Sequence, residues 1–105
     1  MFGNLGELAK MMSRVKDIQS GIKQFKEEQP KLEFSATAAG GNVKVTVSGD
    51  FVVKSIEISP EANLSGDELA RQITEAANSA LIAAKMTVQS KITEISGGID
   101  LPGLF

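Results

Sequence analysis

The segment LAKMMSRVKDIQSGIKQF, residues 8–25, restricts the possible folds of this chain more than any other stretch. Leu8, Met11, Val15, Ile18, Ile22 and Phe25 recur at steps of three and four, with Met12 beside them. That spacing lays an unbroken apolar stripe along one side of a helix, and a stripe so long needs cover. Good helix formers fill the remaining positions from Leu5 to about Glu28, Pro30 stops the helix, and Asn4 is placed to cap its start. Gly21 lies mid-helix at a cost of about 1 kcal/mol relative to Ala, as expected where another element approaches closely.

The apolar period then changes to two. Leu32, Phe34 and Ala36 alternate with Glu33, Ser35 and Thr37, and Val43, Val45 and Val47 alternate with Lys44, Thr46 and Ser48. Residues 32–37 and 43–48 therefore read as half-buried strands. Ala39-Gly40-Gly41-Asn42 is a hairpin turn and Gly49-Asp50 a second tight turn. The third run, FVVKSIEI at 51–58, opens apolar on both faces and settles to Ile56 and Ile58 inward. It predicts a strand whose beginning is covered on both sides. A long helix over 66–96 follows, opened by the capping box Ser65-Gly66-Asp67-Glu68 and ended by Gly97-Gly98. Leu69, Ile73, Ala76, Ala80, Ala84, Val88, Ile92 and Ile95 trace its buried face. Within it AANSALIAA, residues 76–84, is small or apolar nearly all round, which predicts enclosure on more than one side and buried partners for Asn78 and Ser79. The fold class is α+β: a long helix, a three-stranded antiparallel meander and a long helix, in one domain over 1–105 with an apolar tail at 97–105.

Lengths decide the packing. The helices span about 35 and 45 Å, and strands of this size about 20–27 Å, so one sheet face cannot cover both helices. A chain of 105 residues has a marginal core by itself. A second copy is the economical cover, because twofold interfaces can resemble a divided core. This predicts a homodimer centred on the sheets and the alanine-rich segment, with Val52, Val53, Ile73, Ala77, Ala80, Leu81 and Ala84 at the interface. The far helix ends project as arms. The alternative is a monomer whose tail (Ile99, Leu101, Leu104 and Phe105) folds over the stripe.

Absent residue types narrow the chemistry. Without Cys there is no disulfide, thiol nucleophile or thiolate metal site, and without His no imidazole base or His-ligated zinc. With no Trp or Tyr, base stacking rests on five Phe, most of them committed to the core. Gly40-Gly41 lacks the Lys and helix of a phosphate-binding loop, and Asp67, Glu68 and Glu75 show no calcium-loop spacing, so neither cofactor nor metal is expected. No apolar run is long enough to span a membrane and no signal-peptide layout opens the chain, so a cytoplasmic location is expected.

Charge is segregated. Residues 1–26 carry Lys10, Arg14, Lys16, Lys23 and Lys26 against Glu7 and Asp17, a balance of +3, while the formal net charge of the chain is −2. The first helix is thus a basic rod on an acidic body. Each cation could neutralise a phosphate without reading sequence. The same residues also read as an ordinary solvated face, since Lys23 with Glu27 and Glu7 with Lys10 have intrahelical pair spacing.

MFGNLGELAKMM opens the chain, GGNVKVTVSGDFVVKSIEISPE runs through the sheet, and EAANSALIAAKMTVQSKITEISGGIDLPGLF closes it. In this order the strings resemble the YbaB/EbfC family of bacterial nucleoid-associated proteins, most of all in VKVTVSG, IEISPE, NSAL at Asn78–Leu81 and GGIDLPGLF. The resemblance implies a homodimer with projecting helices that binds duplex DNA with little sequence preference, without catalysis or cofactor, in the nucleoid. On that reading Lys10, Arg14, Lys16, Lys23 and Lys26 are the candidate phosphate contacts, joined by Lys85 and Lys91 of the second helix. The competing reading is a protein-binding adaptor or chaperone-like module that docks a partner on exposed stripe or on the C-terminal tail.

Overall fold

The computed structural model describes residues 5–98. Asn4 and the tail residues Ile99, Leu101, Leu104 and Phe105, for which a cap and a covering role are expected, lie outside them. The elements are α1 (Leu5–Glu28), a short 3-10 turn (Gln29–Lys31), β1 (Glu33–Thr37), β2 (Val43–Ser48), β3 (Val53–Ile58) and α2 (Gly66–Ser96). The strands form an antiparallel sheet in the order β1-β2-β3.

The alternating pattern of β2 builds one wet and one dry sheet face. Lys44 pairs with Thr37 and Glu57, and Thr46 with Ser35 and Ser55, so these polar side chains share a face. On it Ser35 Oγ and Thr46 Oγ1 are 2.7 Å apart, and Lys44 Nζ lies 3.9 Å from Glu57 Oε2. The opposite face carries Phe34 and Ala36 beside Val47 and Val45. Val43, Val45 and Val47 are fully buried there beneath Ala76, Ala80 and Ala84 of α2. Alanine at every fourth position keeps the contact side of the helix thin, so its backbone lies close to the strand. Each buried valine contributes about 1.5–3 kcal/mol.

α2 has a single buried side along the alanine-rich segment. Asn78, Ser79, Ile82 and Ala83 are exposed, so the protomer's described residues do not supply the cover on more than one side expected for residues 76–84, nor a buried partner for Asn78 and Ser79. Ala80 and Ala84, expected at a dimer interface, are spent inside the protomer against β2 and have no surface left to offer. Ser65 Oγ caps α2 by accepting the Glu68 N–H at 3.2 Å, and Gly97 ends it in the left-handed region at φ 64°.

The C-terminal half of α2 leaves the sheet and packs on α1. Ile18, Ile22 and Phe25 are buried with Val88 and Ile92, which covers the second half of the α1 stripe. A Cβ at Gly21 would stand 2.7 Å from Ile95 Cγ2, so the mid-helix glycine marks the close helix approach expected of it. The first half of the stripe is uncovered: Leu5, Leu8, Met11, Met12 and Val15 are 40–84% exposed. The molecule is correspondingly elongated, 72 × 22 × 18 Å.

β3 departs most from expectation. Val45 pairs with Ile56 and Val43 with Ile58, yet Val47 pairs with Val53, so a bulge opposite Thr46/Val47 inserts one extra residue into β3. This slip brings Val53 onto the same face as Ile56 and Ile58. The double-faced opening FVV is thus a phase change, not cover on two sides. All three side chains share the dry face of the sheet, but α2 lies over β1 and β2 and stops short of β3. Val53, Ile56 and Ile58 consequently remain 44–47% exposed, and Val52 is exposed too, where Ile56 and Ile58 are expected inward.

Candidate nucleic-acid interface

The 24-residue α1 presents its cations on two sides. At about 100° per residue, Lys16 and Lys23 fall on one line of the helix, and Lys10 and Arg14 on the opposite flank of the stripe. Lys10 and Lys16 are exposed on the part of α1 that projects beyond α2. Lys23 and Lys26 are exposed on the part that packs against α2. Among the described residues the only ion pair joins Lys44 to Glu57, so the expected Glu7–Lys10 and Lys23–Glu27 pairs do not form. Over its full length, Leu5–Glu28, α1 carries these five cations against Glu7, Asp17, Glu27 and Glu28, a net charge of +1, and none of these carboxylates forms an ion pair with them.

Arg14 has a task that its spacing did not reveal. A Cβ on Gly97 would meet Arg14 Nη2 at 2.9 Å, which places the guanidinium at the C-terminal end of α2. The last turn of α2 contains no basic residue of its own. Arg14 therefore brings positive charge from α1 to the negative end of the α2 dipole. Its i+4 neighbour Lys10 stays in solvent.

On α2, Lys85 and Lys91 are both exposed but lie on opposite flanks of the buried side. Lys85 shares the flank of the half-buried Ile73, Ala77 and Leu81 and meets the β2–β3 turn, because it lines one cavity with Phe51 and with Lys26 of α1. The structure brings Lys26 and Lys85 together and leaves Lys91 apart from them. Phe51, absent from the residues singled out in the sequence, holds a left-handed φ of 69° in that turn. The sequence marks the turn at Gly49-Asp50 but not the left-handed backbone that follows at Phe51. No cluster of three or more metal-ligating side chains exists among the described residues, and no described helix is long and apolar enough to cross a membrane.

The chain is an α+β protein, a long helix, a three-stranded antiparallel meander and a long helix, with exposed cations along α1. Residues 4–99 match the model of the YbaB/EbfC DNA-binding family, and the chain belongs to that family. It is 35% identical over 103 residues to a nucleoid-associated protein of Cyanothece sp. (strain PCC 7425), covering 97% of this chain and 90% of the relative. It is 37% identical over 101 residues to a nucleoid-associated protein of Acinetobacter baumannii, covering 94% and 93%. An uncharacterized protein of Helicobacter pylori has the same fold, with a TM-score of 0.61 at 14% identity, over 72% of this chain and 90% of that one.

Proposed function

We propose that this protein is a nucleoid-associated protein that binds duplex DNA as a homodimer, through phosphate contacts and with little sequence preference. The observation that carries the reading is the set of unpaired cations on α1: Lys10, Lys16, Lys23 and Lys26 are exposed without a carboxylate partner, while the chain as a whole has a formal net charge of −2. The family's DNA-binding character supports it. Arg14, engaged at the end of α2, is a weaker candidate than its neighbours, and base reading is not part of the proposal. Action by binding, without catalysis, and residence in the nucleoid follow from the same reading.

The dimer is supported by the uncovered shelf of β3. Val53, Ile56 and Ile58 continue the core surface past the edge of α2, beside the half-buried flank of Ile73, Ala77 and Leu81. A second copy seated on that shelf completes the core and leaves both rods projecting from one body.

The test is binding to random-sequence duplex DNA across a salt series, for the native protein and for Lys16→Glu/Lys23→Glu. Native binding should weaken steeply with salt, and the charge-reversed protein should bind poorly even at low salt. Binding indifferent to both rejects the reading. One observation favours a second function, docking of a partner protein: the exposed Leu5, Leu8, Met11, Met12 and Val15 of the projecting arm. Salt-insensitive pull-down of a protein that Leu8→Asp/Met12→Asp abolishes would establish that function instead.

A further inference from the structure

Where the end of α1, the β2–β3 turn and the C-terminal half of α2 meet, they enclose a half-open cavity of about 370 Å³. Val88 and Ile92, both buried, form its apolar base, and Phe51 lines it from the turn. Lys26 of α1 and Lys85 of α2 complete its lining with Gln29 and Gln89, and no acidic residue is among the lining residues. The volume corresponds to about twelve waters at ~30 Å³ each and lies within the usual range of small-molecule pockets.

Two features distinguish the cavity from an incidental cleft. Phe51 occupies a left-handed backbone position at φ 69°, a genuine outlier for a bulky residue, and the residue is still 40% exposed instead of packed in the core. The rest of the turn over-determines that strain: the Phe51 N–H donates to Ser48 O at 2.9 Å, the Ser48 N–H to Val52 O at 2.8 Å, and Gln29 Nε2 to Gly49 O at 2.8 Å. The second feature is the lining itself. Gln29 keeps an acceptor oxygen and a second N–H, and Gln89 has no partner among the described residues. An acyl chain has no use for amides, whereas the edge of a nucleobase presents both donors and acceptors.

We infer that this cavity binds one unpaired nucleotide, its base against Phe51, Val88 and Ile92 and its phosphate near Lys26 and Lys85. The nucleotide can be free in solution or belong to a single-stranded stretch of nucleic acid. Stacking on an aromatic ring beside cations is the general means by which proteins hold unpaired bases, and the rod's phosphate contacts to a duplex do not require it.

The experiment is amide and side-chain NMR of the full chain titrated separately with dAMP, with a short single-stranded oligodeoxynucleotide and with decanoate. Saturable shifts at Phe51, Lys85 and the Gln29 and Gln89 amides are expected with dAMP, or with the single strand alone if the strand is the source. Phe51→Gly suits the turn's backbone and Lys85→Ala alters an exposed residue, so both should fold, and each should weaken binding about tenfold. Phe51→Gly should leave the salt slope of duplex binding unchanged, which separates failure of this site from failure of the rod. Absence of shifts with both nucleotide probes, equal shifts in both variants, or shifts with decanoate alone would each overturn the inference.

Discussion

At Gly21 two opposing terms can be weighed. Alanine there gains about 1 kcal/mol of helix propensity, but its Cβ would press on Ile95, a stiff β-branched side chain that is half buried. Overpacking costs about 1–3 kcal/mol, so Gly21→Ala should lower stability by about 1 kcal/mol net, read from the urea midpoint. An increase in midpoint would mean that α1 shifts freely over α2. Arg14 offers a second test. Its interaction with the end of α2 is worth about 0.3–1 kcal/mol at low ionic strength, so Arg14→Gln should destabilise by that amount in dilute buffer and by less in high salt. A loss independent of salt would assign Arg14 a packing role. Gly49 is constrained more tightly. A Cβ there would run into the Gln29 carbonyl oxygen, which is backbone and cannot give way, so Gly49→Ala should destabilise by 2 kcal/mol or more, on the order of severe overpacking.

Among the elements, β3 is the one whose sequence and surroundings disagree. Among the described residues nothing lies above its apolar residues on the core side of the sheet, and no strand neighbours its outer edge. Unpaired edges of this kind are templates for association. Ile56→Lys/Ile58→Lys should therefore turn a particle of twice the chain mass into one of a single chain in sedimentation equilibrium, with the helical circular dichroism retained. Native protein sedimenting as a single chain would remove the sheet-centred dimer. The arm of α1 is the other incomplete element: its stripe is continuous from Leu8 to Phe25, but cover from α2 begins only at Ile18.

For the whole molecule, charge segregation and elongation act together. Where α1 stands clear of the body, Lys10 and Lys16 lie away from the carboxylates of the sheet and α2 and share the arm with the carboxylates of Glu7 and Asp17 only. Each cation that touches a phosphate adds about 0.9 to the slope of log K against log salt. Removing Lys16 and Lys23 should lower that slope by up to about 1.8 per protomer, whereas Lys91→Gln, remote from the Lys26–Lys85 pair, should change it less. Equal losses at all three positions would indicate attraction to a diffuse field and not to the rod.

Local patterning was sufficient for most element boundaries, though not for the start of β3 at Val53 instead of Phe51 or for the 3-10 turn at Gln29–Lys31, because capping residues, turn glycines and the switch of apolar period act within a few positions of the chain. Both helices, the antiparallel meander, the close approach at Gly21 and the basic character of α1 could be read in this way. Tertiary structure decided the rest: that α2 stops short of β3, that a bulge brings Val53 into phase with Ile56, that Ala80 and Ala84 are used up inside the protomer, and that Arg14 turns to a helix end. It also assembled Lys26, Lys85 and Phe51, which are far apart in the chain. The physical reason is that periodicity shows which side of an element avoids water, while only packing shows how far the opposing element extends to cover it.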